Sequence, residues 1–297
     1  MPNGIIIIDK PQGWTSMDVC AKLRGIFREK RIGHAGTLDP MATGVLPVFI
    51  GRATRAVEFA SESKKEYIAG LKLGVVTNTQ DTTGEVLKEC PAQVSREELR
   101  DVLDQFRGDI QQVPPMYSAI KINGKKLYEL ARKGREVERK PRSIRIYALE
   151  VLDQEPPQGT DFLLRVECSK GTYVRTLCHD IGQALGCGGC MSSLRRTQAA
   201  GFTLDQAVTL EAVQQAAGQG EAESLLLGVD QYFVLGGWDS CVTVDPEAEK
   251  RLRNGAQIST PGTEGEFRVY SQTGEFLALA RCEGGRMTAI KSFFEVK

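Results

Sequence analysis

Residues Ile5 to Ile8 form an unbroken apolar run, as expected of a strand buried on both faces, and Asp9 and Lys10 end it at once. In "KPQGWTS", Lys10 to Ser16, proline and glycine predict a turn that delivers Thr15 or Ser16 as a helix N-cap. Val19, Leu23, Ile26 and Phe27 then recur on one helical face. "EYIAGLKLG" alternates instead: Tyr67, Ala69, Leu71 and Leu73 share one face of a half-buried strand, with Tyr67 at its beginning. "SREELRDVLDQFRG" predicts a helix with a Ser95–Glu98 capping box, an apolar stripe of Leu99, Val102, Leu103 and Phe106, and Gly108 as its stop. "IRIYALEVL" and "DFLLRVECS" predict strands. "SKGTYVRTLCHDIGQALG" passes into a helix with Val174, Leu177, Ile181 and Leu185 on one side, which leaves Arg175 in the first turn, off the apolar stripe.

The stretch from Glu211 to Gly228, rich in Ala, Gln, Glu and Gly, predicts a weak helix. From Trp238 the pattern changes to short alternating runs, "FRVY" and "EFLALARC", between glycine turns, as in a small β-barrel. A boundary near Gly236 divides the chain into residues 1–235 and 236–297. Strands alternating with helices of unequal length predict an α+β fold on a mixed sheet rather than repeated βαβ units.

Composition narrows the function classes. Lys+Arg and Asp+Glu are both 38 and the isoelectric point is about 6.8, so net charge gives no sign of an anionic partner. The eight cysteines are scattered; the close pair Cys187 and Cys190 in "CGGC" has no second pair and no flanking histidine, which favours reduced thiols over a metal site. The N-terminal apolar run is too short for a signal peptide or membrane span, so a soluble, cytoplasmic protein is expected.

The candidate chemistry lies in "GHAGTLDPMATGVLP", Gly33 to Pro47. Asp39 precedes Pro40, which biases it to extended backbone, and Gly33, Gly36 and Gly44 permit tight turns and close approach. There is no phosphate-loop motif, no G-x-G-x-x-G after a strand, and no serine in a nucleophile elbow to join His34 or His179. Carboxylate chemistry is what is left. An isolated Asp-Pro would nevertheless be an ordinary turn.

Its context decides otherwise. "DKPQGWTS", "RIGHAGTLDPMATGVLPVFIG", "KEYIAGLKLG", "QVPPMYSAIKINGKKLYELARKG", "CSKGTYVRTLCHDIG" and "LRRTQAAGF" stand in the order and approximate spacing of the bacterial TruB family, the tRNA pseudouridine 55 synthases. The resemblance runs to about Phe202, and "RLRNGAQI" resembles that family's C-terminal PUA domain. "LGGWDSC" departs from the leucine-proline step usual at the junction.

The resemblance implies a pseudouridine synthase-like domain, with a mixed, largely antiparallel sheet and flanking helices, followed by a small PUA-like barrel. It implies isomerisation of a uridine everted from the T-arm of a tRNA by a monomeric enzyme, with no cofactor and no metal. Asp39 is then the catalytic carboxylate; attack on the base, attack on the sugar and removal of a sugar proton all remain open. Arg175 would pair with it, Tyr67 would stack on the flipped base, and Leu194 and Tyr173 would border the pocket. His34 would enter the RNA loop, and Asp81 in "NTQDTTGE" matches a second acidic position. Beside these, "ARKGREVERKPRSIRIY" carries Arg132, Lys133, Arg135, Arg139, Lys140, Arg142 and Arg145 against Glu136 and Glu138, a candidate phosphate track. Lys10 and Lys121 are either scaffold or phosphate ligands. The rival functions are an RNA chaperone, an activity that can coexist with isomerisation, and an aspartate-dependent hydrolase, which lacks a visible water-activating partner.

Overall fold

A computed structural model describes residues 1–122, 124–152, 161–260, 262 and 264–295. The larger sheet runs in the order Gly4–Lys10, Thr43–Ile50, Gly189–Ala199, Lys65–Leu73, Asp161–Cys168, Arg142–Val151, Gly108–Gln112. Short strands Ile32–His34 and Phe202–Thr203 pair with Thr43–Ile50 and Gly189–Ala199. Every pairing is antiparallel except one: Thr43–Ile50 lies parallel to Gly189–Ala199, with Arg195 opposite Thr43 and Arg196 opposite Gly44. The fold is α+β on a mixed sheet, as the pattern predicts.

The unbroken apolar run has a physical reason. Ile6 and Ile8 pack with Leu46, Val48 and Ile50 against Val19, Leu23 and Phe27 of the helix Ser16–Phe27. Ile5 and Ile7, on the other face, pack with Val45, Phe49, Phe202 and Tyr232. With both faces covered, no position is free to be polar. Lys65–Leu73 alternates as expected, and its inward residues Tyr67, Ala69 and Leu71 meet Leu177 and Ile181 of the helix Val174–Ala184 and Leu99 and Leu103 of Arg96–Leu103. Thr15 is the N-cap of the first helix, through a capping box with Asp18, and the Ser95–Glu98 box forms as written.

Two helices are shorter than their patterns suggest. After Leu103 the chain tightens into a 3₁₀ turn, Asp104–Phe106, and Gly108, at φ +82°, opens the edge strand. The stretch read as one helix from Glu211 to Gly228 is instead a helix, Leu210–Gly218, and a 3₁₀ turn, Ala222–Leu225, because Gly220 takes φ +81°, where a helix cannot continue.

The C-terminal strands form a five-stranded sheet in the order Cys241–Val244, Gly265–Ser271, Phe276–Glu283, Arg286–Ser292, Ile258–Ser259. It is not isolated from the larger one. Phe233, at the end of the helix Val229–Leu235, lies 6.2, 6.0 and 5.5 Å from the rings of Trp238, Phe276 and Phe293, and Leu279 and Phe293 share an apolar cluster with Ile5 and Phe49. Arg55 donates to the Ser292 carbonyl at 2.9 Å, and Lys291 pairs with Glu58 at 2.6 Å. Among the described residues, no helix is long and apolar enough to cross a membrane.

The parallel contact imposes one strict requirement. Gly44 has φ +100°, and a Cβ there would stand 2.2 Å from the Arg196 carbonyl oxygen. Gly44→Ala should therefore cost about 3 kcal/mol or more, strain and overlap together. At Gly13, φ is +84° but nothing lies within 4 Å of the added carbon. Gly13→Ala should cost only backbone strain, about 1 kcal/mol. Thermal melts of the two variants check this; equal losses would show that the crowding at Gly44 relaxes.

Candidate active site

The loop that bears Asp39 joins Ile32–His34 to Thr43–Ile50, and its backbone is clamped on both sides of the aspartate. On one side the Ser16 hydroxyl accepts from the Leu38 amide at 2.9 Å and donates to the Leu38 carbonyl at 3.2 Å. On the other, the Pro40 carbonyl accepts from the Gly13 amide at 2.8 Å and from the Lys10 ammonium at 3.4 Å. Lys10 also donates to the carbonyls of Pro11, at 2.9 Å, and Trp14, at 2.6 Å, and is wholly buried. Burial pulls its pKa down to about 8, with Asp39 acting in the opposite direction. Of the two roles open to Lys10 in the sequence, the structure gives it the scaffold.

Arg196 plays the same part from the neighbouring strand. Also fully buried, it donates through Nε to the Val45 carbonyl at 2.7 Å and through Nη2 to the Gly36 carbonyl at 3.1 Å. Gly36, at φ +86°, leaves room for that guanidinium, since a Cβ would sit 3.3 Å from its Nη1. Sequence reasoning gave Arg196 no role. The available signal was a cation at an inward position of a strand, where only a partnered charge is tolerated.

The loop presents Asp39 to Arg175, from the first turn of Val174–Ala184. Arg175 Nη2 lies 3.2 Å from Asp39 Oδ2 and donates to the Tyr117 carbonyl at 2.6 Å, while Nη1 lies 3.6 Å from Asp81 Oδ2. Its side chain is 8% exposed, so its place off the apolar stripe is an interior one. Asp81 is equally buried: its Oδ1 accepts from the Thr79 hydroxyl at 2.8 Å, the Thr83 amide at 3.0 Å and the Thr83 hydroxyl at 2.5 Å. Asp81 thus caps its own turn and stands 3.6 Å from Arg175 at the same time. Next to it Gln80, at φ +65°, accepts from the Thr176 hydroxyl at 2.7 Å and so ties the turn to the Arg175 helix.

Asp39 differs from its partner. Its side chain keeps 37% of its surface, and among the described residues Oδ1 accepts no hydrogen bond. Partial burial raises its pKa above the ordinary value; Arg175 and Lys10 oppose the rise and Asp81 adds to it. The result is a partly exposed carboxylate whose pKa lies above the ordinary value.

Around it stand the other candidates. Tyr67 is 8% exposed and clusters with Leu38 and Leu194; burial raises its phenol pKa, with Arg196 as the main opposing influence. Leu194 lies opposite Ala69 in the sheet. Tyr173 starts the Arg175 helix without a side-chain cap of its own. Instead, Gln112 accepts from the Tyr173 amide at 2.8 Å and donates to its carbonyl at 3.1 Å. His34 ends a strand and is half-buried, with Nδ1 unpartnered, and burial lowers its pKa.

The segment that leads into the basic run is tied to the loop that holds Arg175. The Tyr128 amide donates to the Ser118 carbonyl at 3.1 Å, next to the Tyr117 carbonyl that holds Arg175. Arg132 and Lys133 are exposed, with the Arg132 guanidinium 5.4 Å from the Tyr128 ring centre, and Lys121 is exposed on the ribbon Lys121–Ile122. Arg139 and Arg145, by contrast, pair with Glu136 and Asp109.

Comparison with known proteins settles the family. The TruB family pseudouridylate synthase N-terminal domain matches residues 24–174, and the tRNA pseudouridylate synthase B C-terminal domain matches residues 175–233. The chain belongs to the TruB family. A protein named tRNA pseudouridine synthase B from Stutzerimonas stutzeri is 51% identical over 75% of this chain and 72% of its own. Its namesake from Francisella philomiragia is 41% identical over 99% of this chain and 95% of its own. Among solved structures, a Cbf5-Nop10-Gar1 complex superposes with a TM-score of 0.71 at 27% identity, covering 98% of this chain and 85% of that one. An H/ACA RNP bound to a substrate RNA containing 2'-deoxyuridine gives a TM-score of 0.71 at 25% identity, covering 98% and 85%. The TruB chain is thus an isomerase of RNA uridine, and Asp39, Tyr67 and Arg175 lie inside the matched segments.

Two predictions follow from the charges. Because folding raises the Asp39 pKa, the ionised side chain opposes folding above that raised value, and the opposition fades as pH falls from there to the ordinary 3.8, below which it is gone. Asp39→Asn should therefore melt at or above wild type at neutral pH, with the gain disappearing towards pH 4. Arg175→Met removes the cation that opposes the rise and leaves Asp81 buried without its counter-charge. It should cost on the order of 3 kcal/mol and move the acidic limb of the single-turnover rate profile to higher pH. An unmoved limb would separate Arg175 from the ionisation of Asp39.

Proposed function

We propose that this protein isomerises uridine 55 in the T-loop of tRNA to pseudouridine, with Asp39 as the reacting carboxylate. The observation that carries the reading is the arrangement of Asp39: one oxygen paired with a buried arginine, the other without a hydrogen-bond partner among the described residues, on a side chain 37% exposed, in a chain of the TruB family. The reaction breaks the C1′–N1 bond, turns the base and forms a C1′–C5 bond, while the C5 proton passes to solvent and N1 gains one. It is redox-neutral and transfers no group to another molecule. A positioned carboxylate, a pocket for the everted base and exclusion of water are what it requires.

In this reading Tyr67 carries the everted base, Leu194 and Tyr173 wall the pocket, and His34 enters the space that the base leaves. Asp81 holds Arg175 in place, and Arg132, Lys133 and Lys121 follow the phosphates of the stem-loop, which is recognised by its folded shape. Residues 1–235 perform catalysis and 236–297 form a PUA-like RNA-binding unit. The enzyme works as a cytoplasmic monomer, and opening the loop to evert a base also gives it a tRNA-remodelling activity.

The test uses T-arm RNA tritiated at uridine C5, in single turnovers at saturating protein. Wild type should release the label, and Asp39→Asn should bind the RNA with near-normal affinity and release none. Isomerisation by folded Asp39→Asn at near the wild-type rate would make the loop a structural turn. Tyr67→Leu keeps an apolar side chain at the buried strand position and removes the stacking ring, worth roughly 1–3 kcal/mol. Its turnover should fall by one to two orders of magnitude with RNA still bound; wild-type turnover would remove Tyr67 from the site.

A further inference from the structure

The turn that clamps the catalytic loop carries an indole that the fold does not use. Trp14 is 36% exposed and Met17, in the first turn of the following helix, is 53% exposed. Trp14 precedes the N-cap Thr15, where an apolar residue ordinarily packs on the fourth helical position. That position is Val19, fully buried in a cluster that does not include Trp14. Among the described residues Trp14 packs into none of the four apolar clusters, and its indole N–H has no hydrogen-bond partner.

Its backbone, however, is held with unusual care. The Trp14 carbonyl accepts from the Lys10 ammonium at 2.6 Å, and the same ammonium reaches the carbonyl of Pro40, the residue after Asp39, at 3.4 Å. The Gly13 amide binds that carbonyl as well. A large exposed aromatic thus stands on backbone that Lys10 and Gly13 tie to the Pro40 carbonyl, one residue from Asp39.

Resting on the function proposed above, we infer that Trp14 is a second stacking platform, which receives an unpaired base of the RNA loop beside the everted uridine. Local charge favours a base over a phosphate. Lys10 is consumed by three carbonyls, and the ionised group of the first helical turn is Asp18, whose carboxylate caps the Thr15 amide at 2.9 Å and would repel a phosphate. A neutral π face meets no such penalty and covers an indole well.

The test uses the full chain in an Asp39→Asn background, which binds without turnover, and a fluorescein-labelled T-arm stem-loop. Trp14→Ala should weaken binding about tenfold, the order of one lost base–aromatic stack, and Trp14→Phe should recover most of the loss. With Asp39 restored, Trp14→Ala should raise KM and leave the saturating single-turnover rate within about twofold. The chain has one other tryptophan, Trp238, so Trp238→Phe leaves Trp14 as sole indole emitter, and stem-loop binding should quench it. Unchanged affinity in Trp14→Ala, an unquenched Trp14, or a loss of saturating rate at unchanged affinity would each overturn the platform. Failure of the wild-type protein to release tritium overturns the isomerase reading instead, and the affinity and quenching measurements still decide for or against Trp14.

Discussion

The site depends on buried cations bonded to backbone carbonyls. Lys10 and Arg196 have no exposed surface, and burying such ions costs several kcal/mol each before compensation. Each is compensated by carbonyl oxygens rather than carboxylates: Pro11, Trp14 and Pro40 for the lysine, Gly36 and Val45 for the arginine. A carboxylate partner would fix only its own side chain, whereas a carbonyl partner fixes the main chain. The cost of burial is therefore converted into the position of Asp39, set within a loop that otherwise has one turn bond of its own, Ala42 N–H to the Asp39 carbonyl at 3.0 Å. The glycines follow from the same constraint, since Gly36 and Gly44 are where the main chain must pass close to Arg196.

Much of this was legible in the sequence, and the gaps have physical reasons. Strand periodicity exposed Tyr67, Ala69, Leu71 and Leu73 because that strand buries one face, and the capping boxes at Thr15 and Ser95 are local chemistry that no tertiary contact overrides. Asp39, Arg175 and Tyr67 were found by motif; spacing alone could not have paired residues more than a hundred positions apart. What escaped are interactions with no periodic signature: the Tyr117 carbonyl on Arg175, Gln112 capping the Tyr173 helix, and Gln80 on Thr176. Helix ends failed for a related reason. Around Glu211 to Gly228 composition is uniformly helix-compatible, and a single left-handed glycine decides where the helix stops.

The tail shows the limit of reading a change of texture as a separation. The alternating runs after Trp238 do form their own sheet, with its own cluster of Val269, Leu277, Ala280 and Met287. Yet the ring of Phe233 meets Trp238, Phe276 and Phe293, so the aromatic residues that open and close the tail belong to a cluster built on Ile5 and Phe49. Aromatic contacts of this kind add to area burial, and they fix the direction in which the second sheet leaves the first.

The asymmetry of the two carboxylates on Arg175 lets one arginine be fixed in the fold and still face an exposed acid. Asp81 Oδ1 has three donors and its side chain is 5% exposed, so its Oδ2 is a fixed negative charge 3.6 Å from Nη1. Nη2 is held independently by the Tyr117 carbonyl at 2.6 Å, shorter than its 3.2 Å approach to Asp39. If Asp39 turned towards a substrate, the guanidinium would keep two partners and its orientation, and no buried cation would be left alone. A single aspartate–arginine pair could not do this, because moving the acid would strand the base at the cost of breaking a buried ion pair. The second carboxylate thus lets Arg175 keep its orientation whether or not Asp39 stays paired with it, and its charge also raises the pKa of Asp39 by repulsion.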